Sequence, residues 1–145
     1  MLTLRTEIQI AATPERVWNI LMDFPSYAQW NPLVRSLEGI PRVGETLKVF
    51  IQPPGGRGMC FRPKVLCVEA AREFRWKGKL LIPGLFDGEH FFLLERAPNG
   101  NVLFTQGEVF SGLLVPMMKQ SLEGTTRAGF IAMNEALKRR AEASP

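Results

Sequence analysis

Ile10-Ala11-Ala12-Thr13-Pro14-Glu15-Arg16-Val17-Trp18 is the stretch over which the chain changes its hydrophobic period. Before it, Thr3 to Ile10 alternates polar and apolar residues, as a strand with one buried face does. After it, Val17, Trp18 and Leu21 share one face of a helix. Thr13 offers the capping hydroxyl, and Pro14 occupies the first helical position, where its missing N–H has no partner to lose. The helix extends to about Met22, and Asp23 is placed to cap a second short helix over Pro25 to Gln29.

Further along, residues 33–38, 45–52, 59–69 and 72–78 read as successive strands, separated by Gly39-Ile40-Pro41, by Pro53-Pro54-Gly55-Gly56 and by Glu69 to Arg72. The next two, 86–97 and 101–111, flank Asn99-Gly100, a dipeptide suited to a two-residue type I′ turn. That turn would pair residues whose numbers sum to about 199. From about Leu114 the period becomes helical. A helix to about Glu142 would be roughly 40 Å long, with Met118, Leu122, Phe130, Met133 and Leu137 along its apolar stripe. Gly124 and Gly129 interrupt it, permitting a bend or a close approach to the sheet.

The order is strand, two short helices, six strands and one long helix, with no βαβ alternation. The expected class is therefore α+β, with a curved antiparallel seven-stranded sheet wrapped around the C-terminal helix. Such a sheet curves away from a straight helix faster than side chains can fill the gap, which leaves room for a pocket.

At 145 residues and 46% apolar content the chain suits one domain over residues 1–145. Three Trp, ten Phe and the lack of low-complexity tracts exclude a disordered chain. No apolar run approaches the roughly 20 residues of a spanning helix, and the charged N-terminus is unlike a signal peptide, so the expected location is cytoplasmic. Cys60 and Cys67, read as members of one strand, would lie roughly 23 Å apart and cannot form a disulfide. The net charge of +4 is uneven: nine Lys/Arg against three acidic residues over 42–79, then Arg96 against Asp87, Glu89, Glu95 and Glu108 over 80–110. The basic stretch alternates with apolar residues as a solvated sheet face does. Weak contact with an anionic membrane is open to it, and no nucleic-acid partner is expected.

Several stretches carry a family resemblance. Ile10 to Trp18, followed by Asp23-Phe24-Pro25-Ser26-Tyr27-Ala28-Gln29-Trp30-Asn31-Pro32, resembles the opening of START-like (SRPBCC) proteins of the polyketide cyclase/dehydrase and lipid-transport kind. Phe86-Asp87-Gly88-Glu89-His90-Phe91-Phe92 is similar to the same group, as is Phe104 to Gly112 leading into Leu113-Leu114-Val115-Pro116. The resemblance covers the whole chain in element order. It implies the helix-grip fold and a cavity, and not a reaction, because the superfamily includes pollen allergens, steroid-transfer domains, aromatase/cyclases and ubiquinone-binding chaperones.

Residue parity selects the candidate site. Asp87, Glu89 and Glu95 share one parity of strand 86–97, so Phe86, Gly88, His90, Phe92 and Leu94 should face inward. The turn register puts Glu108 or Phe110 beside His90, on a partner strand whose inner parity is Phe104, Gln106, Glu108 and Phe110. A buried carboxylate needs a donor, and His90 is the nearest candidate. Phe74 and Trp76 would add an aromatic wall, Trp30 a further aromatic, and Met118, Leu122 and Phe130 the helix side of the pocket. Each has a plainer role available: a satisfied core histidine, a structural acceptor, packing aromatics, or core methionines together with Met117 and Met133. The turns Gly39-Ile40-Pro41 and Leu81-Ile82-Pro83-Gly84 have the composition of loops that gate a pocket or pack over it.

One histidine and two separated cysteines assemble no zinc or iron site, so no metal or other cofactor is expected. Pro53-Pro54-Gly55-Gly56-Arg57-Gly58 lacks the Lys-Ser/Thr of a phosphate loop. Ser111 has the wrong parity for a triad with His90 and Glu108. The leading expectation is non-catalytic binding or transport of a small hydrophobic molecule, a lipid, isoprenoid or polyketide, by a monomer or homodimer. The alternatives are a cyclase or dehydratase with a His90–Glu108 acid/base pair, and a chaperone-like module that docks on a protein.

Overall fold

The computed structural model describes residues 1–80 and 82–143. Strand β1 (Leu2–Ile10) leads into α1 (Pro14–Met22), where the Thr13 hydroxyl accepts from the Arg16 N–H at 3.1 Å. A 3₁₀ turn over Phe24–Ser26 and the short α2 (Tyr27–Trp30) follow. Asp23 does not cap a backbone N–H there; its carboxylate accepts from the Ser26 hydroxyl at 2.7 Å. Then come β2 (Val34–Glu38), β3 (Lys48–Ile51), β4 (Met59–Phe61), β5 (Lys64–Glu69), β6 (Glu73–Lys79), β7 (Asp87–Arg96) and β8 (Val102–Ser111).

The α+β helix-grip class holds, with antiparallel strands packed on a long C-terminal helix. The strand count differs from the expected seven. The run 59–69 breaks between β4 and β5 at Pro63, which has no N–H to give a ladder. The eight strands among the described residues form a five-stranded sheet in the order β1-β8-β7-β6-β5 and a three-stranded sheet β2-β3-β4. Backbone bonds from Leu47 N–H to the Pro63 carbonyl and from Val65 N–H to the Glu45 carbonyl, both 2.8 Å, join the two where the chain passes from one to the other. Cys60 and Cys67 thus belong to different sheets rather than one strand, and both are free thiols.

The hairpin between β7 and β8 also departs from expectation. Partners sum to 198, as in His90 opposite Glu108 and Arg96 opposite Val102. The connection is a three-residue loop, Pro98-Asn99-Gly100, closed by Gly100 N–H to the Ala97 carbonyl at 2.9 Å. Pro98 holds the negative φ of a type I turn, and Gly100 alone takes the left-handed conformation, at φ 85°. The type I′ turn would have needed Asn99 left-handed as well.

The C-terminal helical segment runs as α3 (Val115–Ser121), a π-helical turn (Leu122–Thr126) and α4 (Arg127–Glu142). Gly124 lies within the π turn. Gly129 sits against a loop: a Cβ there would meet Leu33 Cδ1 at 2.8 Å. The core is one cluster joining Leu4, Val17, Val49, Phe74, Phe92, Phe104, Met133 and Leu137 from both sheets and the helices. Arg16 on α1 ties down the end of α4, donating to the carbonyls of Ala141 at 2.6 Å and Ala143 at 2.9 Å. No described helix is long and apolar enough to cross a membrane.

Candidate functional site

Inward side chains of β6, β7 and β8 make a continuous row because their partners lie directly opposite: Trp76, His90 and Glu108 form one line across the sheet. Trp76 stacks on the His90 ring, with centroids 5.1 Å apart and planes 23° from parallel. Phe92 and Phe130 close around the same ring, at 4.7 and 5.0 Å. His90 is 1% exposed, so each ring nitrogen needs a partner within the protein. Nδ1 lies 3.0 Å from Glu108 Oε1, and Nε2 lies 2.9 Å from Gln106 Oε1.

Gln106 passes the network to the helix. Its amide nitrogen donates to Asn134 Oδ1 at 2.8 Å and to the Phe130 carbonyl at 3.3 Å. Asn134 donates to the Thr6 hydroxyl at 2.8 Å, and Thr6 donates to the Gln106 carbonyl at 2.8 Å. Thr6, Gln106 and Asn134 are all buried. This polar set joins β1, β8 and α4 and closes the middle of the bowl.

Beyond it, toward α3 and the π turn, the helix leaves the sheet and a cavity of about 190 Å³ remains. Trp76, Phe86 and Phe110 wall it from the large sheet, with Phe86 stacked on Phe110 at 5.6 Å. Met118, Leu122 and Phe130 close the helix side. Glu108 is the carboxylate on its wall. The Glu108 carboxyl lies over Gly88, where a Cβ would stand 2.0 Å from Oε2, so only the bare glycine backbone leaves room for it. The other charged residues of the lining are Arg57 and Lys79, both exposed.

Of the predicted site residues, Trp76, Phe86, Glu108, Phe110, Met118, Leu122 and Phe130 line this cavity. His90 lies behind Glu108 and Trp76, and Gln106 lies behind His90. Phe74 and Phe92 belong to the aromatic core, stacked on each other at 6.1 Å. Trp30 is remote: it borders an open surface hollow between α1 and the end of α4, with Arg16, Asn19 and Arg140.

The second sheet supplies lining that the sequence reading lacked, including Val49, Ile51, Met59 and Phe61, and Thr126 comes from the π turn. Local periodicity marks these strands as half-buried but does not say which layer they cover. Thr6 and Asn134 left a fainter signal, each being a polar residue on an otherwise apolar parity or stripe. Of the two predicted gate turns, Gly39-Ile40-Pro41 does not touch the cavity. The other turn begins at Leu81, which lies outside the described residues; Leu80 just before it borders the cavity, and within it Ile82 is 62% exposed and off the lining.

Similar folds are known. The chain matches the Zhui aromatase/cyclase from Streptomyces sp. R1128 with a TM-score of 0.78 at 15% identity, over 97% of this chain and 93% of that one. It matches a START superfamily protein from Mycobacterium smegmatis with a TM-score of 0.73 at 21% identity, over 97% of each. A third match is protein MLL2253 from Mesorhizobium loti, at 0.72 and 22% identity over 95% of each chain. These identities establish likeness of fold alone. No curated protein matches the chain. The model of polyketide cyclase/dehydrase and lipid transport proteins, however, matches residues 1–142. Nearly the whole chain, cavity walls and closing helix included, therefore falls within that match, and the protein belongs to the polyketide cyclase/dehydrase and lipid transport family.

Proposed function

We propose that the protein binds a compact hydrophobic molecule in the cavity between the two sheets and the π turn. The observation that carries this reading is a mostly apolar pocket of about 190 Å³, open on one side, with the Glu108 carboxylate on its wall. Apolar space between layers is ordinarily filled by side chains, because each unfilled methylene-sized gap forfeits about 1 kcal/mol of packing, and here it stays open toward solvent on the side of Met59 and Lys79. Its size limits the occupant. A cavity of about 150 Å³ accepts benzene, whereas drug-sized ligands occupy about 300–1,000 Å³. The occupant is therefore a one-ring compound, or the ring end of a longer isoprenoid, polyketide or lipid whose tail leaves past the exposed Met59 and Lys79.

The test is titration with ethylbenzene, 4-methylanisole and 4-ethylphenol, beside a Leu122→Trp variant that fills the cavity with an indole. Wild type should bind at least one compound and gain thermal stability with concentration, as a ligand of the native state must confer. The folded variant should bind none. Binding by neither protein, or equally by both, would remove the cavity as the ligand site.

A second reading, a cyclase or dehydratase, is favoured by the 3.0 Å contact between His90 Nδ1 and Glu108 Oε1 at the cavity wall. Glu108 would take a proton from an activated C–H and return it to a departing hydroxyl, which leaves as water. Turnover of a compact β-hydroxyketone that disappears in Glu108→Gln, with ethylbenzene still bound, would establish it. Turnover retained in that variant would exclude it.

A further inference from the structure

The directions of the hydrogen bonds behind the cavity are set by groups that have no choice. The Gln106 carbonyl can only accept, so the single hydrogen of the Thr6 hydroxyl points to it. Thr6 Oγ1 must then accept from Asn134, which places the Asn134 amide nitrogen toward Thr6 and its oxygen toward Gln106. Gln106 must in turn present its nitrogen to Asn134, as the Phe130 carbonyl independently requires. Its oxygen therefore faces His90 Nε2, and that nitrogen carries a hydrogen. Any other assignment leaves two acceptors 2.8–2.9 Å apart in a buried site.

With Nε2 committed as a donor, the contact between Nδ1 and Glu108 Oε1 at 3.0 Å needs one hydrogen between them. Whether that hydrogen rests on the imidazole or on Oε1, the second oxygen, Oε2, is left with lone pairs only. Oε2 is the oxygen over Gly88, itself part of the cavity lining.

We propose that Thr6, Asn134 and Gln106 form a one-directional hydrogen-bond chain that fixes the His90 proton on Nε2 and makes Glu108 Oε2 an obligate acceptor. The cavity thereby selects compact apolar ligands that bear a hydroxyl or N–H over isosteric ethers and ketones. This rests on the reading of the cavity as a ligand site. The other charged groups on the cavity wall, Arg57 and Lys79, are exposed side chains. Thr6, Asn134 and Gln106 are positioning residues, since none of them lines the cavity.

The experiment has two arms at neutral pH. In the first, affinities of 4-ethylphenol and its isomer 4-methylanisole are compared with that of acetophenone. The phenol should bind about ten- to a hundredfold tighter than either, the range expected for a hydrogen bond to a charged or proton-sharing acceptor. The preference should vanish in Glu108→Met while ethylbenzene still binds. Equal affinities, or a preference for the ketone, would overturn the proposal and leave the cavity reading standing; binding of none of the compounds would remove both. In the second arm, ¹⁵N NMR of the imidazole reads a single ring system, because the chain has one histidine. Nε2 should carry its hydrogen in ligand-free wild type, and an unprotonated Nε2 would overturn the chain of assignments even if that variant does not fold.

Discussion

Replacing Gly88 by alanine should act through a side chain on the neighbouring strand. A Cβ built at Gly88 lies 2.0 Å from Glu108 Oε2 and 3.1 Å from its Cδ. Comfortable contact needs about 3.5 Å, so the carboxyl must retreat by more than about 1 Å. It sits at the end of a flexible side chain and will swing toward the cavity, which breaks the 3.0 Å bond to His90 Nδ1. A hydrogen bond involving a charged group contributes about 1.5–3 kcal/mol, and the gain from alanine over glycine in the unfolded chain offsets about 0.4–1 kcal/mol of its loss. The net expectation is a loss of about 1–2 kcal/mol. In urea unfolding, with a slope of about 1–3 kcal/mol/M for a chain of this size, the midpoint should fall by roughly 0.3–2 M. A double-mutant cycle with Glu108→Ala isolates the cause: once the carboxylate is gone, Gly88→Ala should be neutral or stabilising. If it costs the same in both backgrounds, the clash is not with Glu108 and the account of this glycine is wrong.

Two predictions concern pH. Tyr27 is the sole tyrosine, fully buried, and its hydroxyl donates to the Leu21 carbonyl at 2.7 Å. Burial, and secondarily the Asp23 carboxylate, pushes its ionisation well above the ordinary value of 10.0. The stability it contributes is therefore complete below that value and is lost as pH rises beyond it. Tyrosinate absorbance should appear together with the loss of circular dichroism in one cooperative alkaline step; smooth ionisation near pH 10 in a folded protein would contradict this. Glu142 behaves in the opposite sense. The Ala11 backbone N–H, at 2.7 Å, and then Lys138 hold its carboxyl below the ordinary value of 4.5. Its contribution is present above that value and disappears as pH falls through the lower, folded one. Glu142→Gln should thus be less stable than wild type at neutral pH and converge with it in acid, and a gap independent of pH would refute the assignment.

The elements of this protein are determined locally. Thr13-Pro14 starts α1 because a capping hydroxyl and a missing N–H suit a helix start in any context, and the alternation of β7 places His90 inward whatever packs over it. A short hairpin leaves few registers, so the sequence narrowed the neighbour of His90 to Glu108 or Phe110, and the three-residue loop opened by Pro98 settled it as Glu108. The break between β4 and β5 was missed: 59–69 read as one strand because its apolar residues run on through Pro63, whose lack of an N–H ends the ladder there. What tertiary structure alone decided is which surfaces meet. Val49, Ile51 and Met59 reach the cavity because the small sheet folds across the mouth of the large one. Thr6 and Asn134, 128 positions apart, find each other only because α4 lies against β1. Strand parity and helical stripes tell each side chain whether it is buried, since that follows from its own backbone. They do not tell it what it is buried against, because that depends on the twist of the sheets and on where the helix departs from them.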